Sequence, residues 1–364
     1  MMKLLYFAIP MLISAVLVLA VRALAVHFGL YAKENSRTVH HDHPIPRLGG
    51  IGIFAAFIIG LLIFVKDLQP IQAVVIGAAM IFAEGLYDDL FDMPPLGKLL
   101  FQIAAAAVVI YGGHLALQTI NLPFGIHFQF EFISVLITFL WIVGITNAIN
   151  LIDGLDGLAG GISVIVLLTI SFLTTLNGRP EVMTICLILA GSTMGFLFFN
   201  FHPASIFMGD CGSQVLGFMI AAISLQGFKS GTFITLGIPI TLLFIPIADT
   251  LSAIVRRRLK GEKFTVPDKN HIHHKLMQRL GHTGAVITLY VVTALFGLTS
   301  YLYIVNEPLG MALLIVLIII FEIFIEYTEL ISPHYRPILG LFDIIRRKAQ
   351  SHDLPADGSD DKTH

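Results

Sequence analysis

The sequence predicts an all-α, polytopic integral membrane protein of about eleven transmembrane helices, and three observations predict it. Of 364 residues, 56% are apolar and only 13% charged, with a mean hydropathy of +0.85; soluble domains usually carry about 25% charged residues. Apolar runs close to the ~20 residues that cross a hydrocarbon core recur along the chain. Lys and Arg fall unevenly on alternate loops. At roughly 20 residues per span, eleven spans consume about 220 residues, which leaves no stretch for a soluble domain of ordinary size. Chemistry is thereby confined to short loops and helix ends.

The runs are centred in about 4–25, 48–65, 70–87, 97–113, 131–149, 158–176, 181–200, 213–228, 232–255, 286–305 and 308–328, each bounded by Gly, Pro, Asn or charged clusters. The first is followed, not preceded, by its basic residues, which disfavours a cleaved signal peptide. An odd number of spans puts the termini on opposite sides. With the N-terminus outside, 18 of the 22 Lys and Arg lie in cytoplasmic segments, leaving Lys3, Lys66, Arg179 and Lys229 on the other face. The positive-inside rule therefore selects N-terminus outside and C-terminus cytoplasmic. The ninth run, Thr232 to Val255, contains Pro239 and Pro246, each of which removes a backbone donor and crowds the preceding turn, so a bend or break is expected there. Broken spans often flank a site. Residues 1–345 then form one transmembrane domain with cytoplasmic loops, and the polar, aspartate-rich 346–364 reads as a disordered cytoplasmic tail.

A net charge of −2 argues against a nucleic-acid partner, which would call for a basic face. Two cysteines, Cys186 and Cys211, form neither a disulfide framework nor a C-x-x-C metal pair.

All the tight acidic clusters fall in loops assigned to the cytoplasm. The first is Asp88-Asp89 with Asp92, followed by Lys98. Adjacent carboxylates at the mouth of a span repel and lose hydration, a cost that a divalent cation with a phosphate substrate resolves. The second runs from Asn147 to Gly157, where Asp153 and Asp156 lie three apart and Asn150 precedes them; on a helical turn such residues share a face, and hard Asp and Asn oxygens suit Mg²⁺. The third places Asn200 and His202 shortly before Asp210, which is set between glycines that permit close approach by a ligand. For each, the plain alternative is an aspartate capping a helix or turn. The fourth segment joins Arg256-Arg257-Arg258 to Asp268-Lys269-Asn270-His271-Ile272-His273-His274. The arginines are ordinary topology anchors, and the histidines, without a fourth ligand for zinc, suit contact with phosphate. Arg47, ahead of Gly49-Gly50, is either an anchor or a contact for a lipid phosphate. Asp249 is an acid in an apolar setting just past Pro246, a candidate site residue on that ground. Together these groups suit a Mg²⁺-bound diphosphate beside a bilayer that supplies a lipid substrate, which is phosphoryl transfer onto a lipid.

The strings EGLYDDLFDMPPLGK (84–98), NAINLIDGLDGLAGG (147–161), FFNFHPASIFMGDCGS (198–213), RLGG (47–50) and DKNHIHHKLM (268–277) resemble the polyprenyl-phosphate N-acetylhexosamine-1-phosphate transferases, relatives of phospho-N-acetylmuramoyl-pentapeptide translocase. The resemblance spans roughly residues 30–280. It implies transfer of a sugar 1-phosphate from a UDP-sugar to undecaprenyl phosphate with release of UMP, in a bacterial cytoplasmic membrane with the active site facing the cytoplasm. The implied cofactor is Mg²⁺, with Mn²⁺ as a substitute, and a homodimer is the one protein assembly the resemblance suggests. The resemblance further implies Asp88 as the base toward the lipid phosphate with Asp89 beside it, and Lys98 at the diphosphate. Asp210 and Asn150 match its Mg²⁺ contacts, and His271, His273 and His274 match its histidine motif near the phosphates. Asp153, Asp156 and Asn200, with Arg47 and Asp249, complete the expected substrate pocket. The His-Ile-His-His run favours UDP-N-acetylglucosamine as donor, and hence initiation of teichoic acid or another envelope polysaccharide such as O-antigen, over the pentapeptide branch. Remoter alternatives are an intramembrane aspartyl protease, whose Gly-x-Gly-Asp motif would need glycine where Phe207 stands, and a proton-coupled transporter, whose acids would lie mid-span.

Overall fold

The computed structural model describes residues 2–31, 45–116, 119–122, 126–129, 133–228, 237–261, 270–331 and 335–340. The polar tail from 346, Asp268 and Lys269 lie outside these residues. Among the described residues twelve α-helices follow in order: α1 (Met2–His27), α2 (Gly49–Phe64), α3 (Gln72–Phe91), α4 (Pro95–Ala107), α5 (Ser134–Ile152), α6 (Leu158–Leu176), α7 (Pro180–Asn200), α8 (Asp210–Phe228), α9 (Gly237–Leu242), α10 (Phe244–Lys260), α11 (Ile272–Val305) and α12 (Glu307–Tyr327). The fold is the expected all-α membrane bundle. Among the described residues nine helical segments are long and apolar enough to cross a membrane. The other two expected spans are also helical. One is α2, which at 16 residues reaches about 24 Å; the other is the ninth run, divided between α9 and α10.

That division follows from Pro246, which has no N–H to give to the carbonyl of Leu242. The chain turns at Leu243 (φ −98°, ψ 18°) before α10 resumes. A second interruption, at Gly281 (φ 71°), separates the histidine-bearing first turns of α11 from its apolar remainder, so the expected span 286–305 is the distal part of a longer, kinked helix. Residues between the fourth and fifth spans, expected as plain loop, instead include a two-stranded antiparallel hairpin, β1 (Thr119–Leu122) and β2 (Ile126–Gln129), with Thr119 opposite Gln129.

At the centre lies α8, apolar on nearly every side and buried almost throughout, as a helix without a polar face must be. It packs against α2, α3, α5, α6 and α7. Trp141 of α5 donates its indole N–H to Ala221 O and Ser224 Oγ of α8, both at 3.3 Å, so even this buried donor is satisfied. By contrast α1 and α12 leave most of their surface outside the bundle, including Leu4, Leu12, Val16, Ile315 and Ile320, an apolar face suited to lipid. Successive spans alternate in direction, with α9 and α10 as two parts of one span, which brings the C-terminal ends of α3, α5 and α7 together with the N-terminal ends of α4, α6, α8 and α11. Among the described residues the candidate site residues stand at or near that end, Asp249 through its contact with the start of α11.

The charge asymmetry gives a topology that labelling can check, because both native cysteines are buried. A cysteine introduced by Lys66→Cys should react with a membrane-impermeant maleimide in intact cells. One introduced by Lys260→Cys should react only after permeabilisation; the reverse pattern would invert the orientation.

Candidate functional site

The site is assembled around the first turn of α8. Gly209, just ahead of it, adopts φ +76°, a conformation open to glycine at no steric cost, and any Cβ there would strike Arg47 O and the Asp89 carboxylate. The tight turn lets Asp89 reach the helix end. Its Oδ1 accepts the N–H of Asp210 at 2.9 Å and its Oδ2 that of Cys211 at 3.0 Å, satisfying two orphan donors where the helix dipole also favours negative charge. From the other side, residues 46–50 run alongside 207–209: Phe207 N–H donates to Pro46 O, Gly49 N–H to Phe207 O and Gly50 N–H to Met208 O, at 2.8–2.9 Å.

So held, Asp210 meets Asp88 across one cation. Lys98 Nζ stands 2.6 Å from Asp88 Oδ2 and 2.6 Å from Asp210 Oδ2, although 112 residues separate Lys98 from Asp210. The other oxygen of Asp88 accepts Met93 N–H at 2.7 Å. Asp88, Asp89 and Asp210 each place a carboxylate oxygen within 4.8 Å of the others. The arrangement is built around positive charge, and hard carboxylate oxygens gathered this closely are of the kind that suits a divalent cation. Asp89, with both oxygens turned to backbone N–H groups, positions Asp210.

Asn150 orients Asp210 further. Its Nδ2 faces Asp210 Oδ2 at 3.5 Å, while its Oδ1 accepts from Ser213 Oγ at 2.7 Å. One helical turn deeper lies a layer that sequence reasoning missed. Gln214 donates to Asp210 Oδ2 at 3.1 Å, Gln102 donates to Gln214 Oε1 at 2.8 Å, and Asn147 donates to Gln102 Oε1 at 2.7 Å. Glu84 borders the same layer, 1% exposed and beside Gln214. The signal was present: these residues stand three or four positions from Asp210, Lys98, Asn150 and Asp88, the spacing that shares a helical face.

Asp153 and Arg47 flank the carboxylates. Burial pushes the Asp153 carboxyl up to about 7, against the pull of Arg47 and with added push from Asp210, Asp89 and Asp156.

Asp156 and Asn200 serve the backbone. Asn200 accepts from Gly157 N–H at 3.0 Å and donates to Ile206 O at 2.9 Å, so both ends of its amide are engaged within the protein. Asp156 Oδ2 pairs with His202 Nδ1 at 2.8 Å and accepts Ala204 N–H at 3.1 Å, while Asp156 N–H donates to His282 Nε2 at 3.1 Å. Asp156, His202 and His282 have metal-ligating atoms close together. However, the two rings stack at 4.0 Å with 21° between planes, and parallel stacked imidazoles cannot both aim in-plane lone pairs at one ion. This cluster is a latch between the α5–α6 loop, the segment after α7 and the kink of α11.

Asp249, expected at the substrate, is buried with both oxygens occupied: Oδ2 pairs with His271 Nδ1 at 3.0 Å and Oδ1 accepts Ile272 N–H at 2.8 Å. His271 and His273 stack with parallel planes, and His273 lies against His274.

A profile of glycosyl transferase family 4 matches residues 71–228, which contain Asp88, Lys98, Asn150 and Asp210. The chain is 38% identical over 341 residues to a Bacillus subtilis (strain 168) protein named "Probable undecaprenyl-phosphate N-acetylglucosaminyl 1-phosphate transferase", covering 92% of this chain and 95% of that relative. The chain belongs to glycosyl transferase family 4. It is also 34% identical to a decaprenyl-phosphate N-acetylglucosaminephosphotransferase of Mycobacterium tuberculosis (strain CDC 1551 / Oshkosh) over 78% of each chain. A phospho-N-acetylmuramoyl-pentapeptide-transferase of Listeria welshimeri matches at 30% identity, over 73% of this chain and 90% of that relative.

Two outcomes follow from this geometry. Asp89→Ala should lower stability by about 0.5–2 kcal/mol, the usual range for a lost cap, and should reduce turnover with it; full activity at reduced thermal stability would detach Asp89 from the placing of Asp210. For Asp153 the sign follows from a folded-state value raised above the ordinary one: as pH climbs from the aspartate range to about 7, the unfolded chain ionises freely while the folded chain resists, so stability falls. With chelator present, Asp153→Asn should raise the melting temperature at pH 8 and leave it unchanged near pH 4, and equal effects at both would refute the assignment.

Proposed function

We propose that this chain transfers N-acetylglucosamine 1-phosphate from UDP-N-acetylglucosamine to undecaprenyl phosphate, giving the diphosphate-linked lipid and UMP, at the cytoplasmic face of a bacterial cytoplasmic membrane. The observation that carries the reading is the Asp88–Lys98–Asp210 cluster, drawn from three helices to one end of a lipid-embedded bundle, in a chain whose relatives bear names of this reaction class.

The chemistry asks more for placement than for a strong base. A phosphate monoester has its second pKa near 6 and is largely ionised at neutral pH, so the lipid phosphate arrives as a nucleophile and Asp88 need only accept the residual proton. The reaction forms a bond from a lipid phosphate oxygen to the β-phosphorus of the nucleotide sugar and breaks that phosphorus's bond to the bridging oxygen, which leaves on UMP. Charge accumulates on the leaving phosphate. Lys98, a compact ammonium on a flexible stem, can exchange its carboxylate partners for that phosphate. Mg²⁺, held by Asp210 with Asn150 beside it, would supply further neutralisation of the diphosphate. Arg47 lies within electrostatic reach of both Asp153 and Asp210, and His273 packs against Gly154 of the same loop. Initiation of teichoic acid or another envelope polysaccharide is the role such a product suits.

The pentapeptide donor is the second reading, favoured by the Listeria welshimeri relative. Detergent-purified protein given undecaprenyl phosphate and Mg²⁺ should release UMP from UDP-N-acetylglucosamine and not from UDP-N-acetylmuramoyl-pentapeptide. Release from the second donor alone would select the second reading, and release from neither in folded protein would overturn both. Asp210→Ala should cut turnover by at least about a hundredfold and weaken Mn²⁺ binding measured by electron paramagnetic resonance; unchanged Mn²⁺ affinity would remove Asp210 from the metal role.

A further inference from the structure

Asp249 does more than a helix cap requires. It lies three residues past Pro246 in α10 and is 2% exposed. Capping α11 occupies only Oδ1, through Ile272 N–H; a neutral Ser, Thr or Asn supplies one such acceptor without burying a charge. The second oxygen is committed to His271 Nδ1 at 3.0 Å. A carboxylate only accepts, so the ring proton resides on Nδ1, and Nε2 is the atom left for another partner. His271 in turn stacks on His273 with ring centroids 5.6 Å apart and 8° between planes. His273 sets its Nε2 against Gly154, where a Cβ would collide with it. One packed path therefore runs from α10 through both imidazoles to the loop that carries Asp153 and Asp156.

We propose that Asp249 is a positioning residue for the transfer reaction: its bond to His271 Nδ1 locks that imidazole with Nε2 presented to the diphosphate of the nucleotide sugar. The inference rests on the proposed function. Carboxylate–imidazole pairing fixes tautomer and ring orientation together, and here a single side chain also registers the start of α11, so ring and helix move as one.

Asparagine separates the two duties. In Asp249→Asn the side-chain oxygen still accepts Ile272 N–H, but the amide NH₂ faces His271 Nδ1 and turns it from donor to acceptor, moving the ring proton to Nε2. Expected are an unchanged melting temperature, a switch of the His271 ¹⁵N resonances from the Nδ1–H to the Nε2–H pattern in histidine-labelled protein, and a fall in kcat/KM for UDP-N-acetylglucosamine of at least about tenfold. His271→Asn keeps a donor for Asp249 but has no Nε2; it should melt like wild type and lose activity, and the double variant should be no worse than His271→Asn alone. Wild-type kinetics in Asp249→Asn, full activity in His271→Asn, a double variant showing the product of both losses, or early melting of Asp249→Asn would each overturn the proposal. Wild-type protein in the same assay separates the two levels. If it releases no UMP from UDP-N-acetylglucosamine the proposed function fails, whereas an active wild type with an indifferent Asp249→Asn sinks this inference alone.

Discussion

The bond pair from Asp89 to the first two amides of α8 is the contact on which the rest of the site depends. A helix buried almost throughout its length offers no water to its N-terminal N–H groups, so something inside the protein must accept them. A carboxylate is the strongest available acceptor and the one the helix dipole favours. Once α3 supplies it, the register between α3 and α8 is set, and Asp88 and Asp210 come to opposite sides of Lys98. Two neighbouring acids thus divide the labour: Asp89 is spent on architecture, and Asp88 faces the cation.

Electrostatics explains why the next layer is polar. Three carboxylates and a lysine at the end of a bundle would be destabilising against aliphatic packing, because unpartnered charge in low dielectric is costly. Gln102, Asn147 and Gln214 carry the hydrogen-bond chain one turn inward and end it among amides, which can satisfy both donors and acceptors without adding charge. On α3 the corresponding place is held by Glu84, beside Gln214 and buried with it. Below this layer the bundle is apolar, with Phe218, Ile142 and Ile81 fully buried.

Hydropathy made the bundle legible, because a span is a local property of some 20 residues, and the doubled prolines of the ninth run marked its break for the same reason. The hairpin escaped because four-residue strands leave too short an alternation to register. For the site, the residue types and their crowding at one face were readable, but not their partners. Nothing local distinguishes Asp88 from Asp89; the difference arises from α8, more than 100 residues away. Asp249 drew notice as a buried acid, yet its engagement with His271 depends on the chain returning past the α10–α11 connection. His282 reaches Asp156 only because α11 bends at Gly281, a consequence of one positive φ that composition does not announce. The second polar layer was the readable part left unread, since the helical period alone links Lys98 to Gln102 and Asp210 to Gln214.

Two substrates of opposite solubility constrain where the carboxylates can stand. A nucleotide sugar comes from water and a polyprenyl phosphate from the bilayer, so their phosphates can meet only near headgroup depth. Mid-span acids would demand that a diphosphate enter hydrocarbon, and acids on long loops would lose the rigid placement that phosphoryl transfer relies on. Helix ends satisfy both demands. The last turn of α3 and the first turns of α4 and α8 hold Asp88, Lys98 and Asp210 together at one end of the bundle, with the amide layer one turn further in. The same logic accounts for the broken α9–α10 pair and the kinked α11. The break ahead of α10 and the kink at Gly281 set Asp249 against His271 and bring His282 to Asp156, so the histidine segment is tied both to α10 and to the loop between α5 and α6.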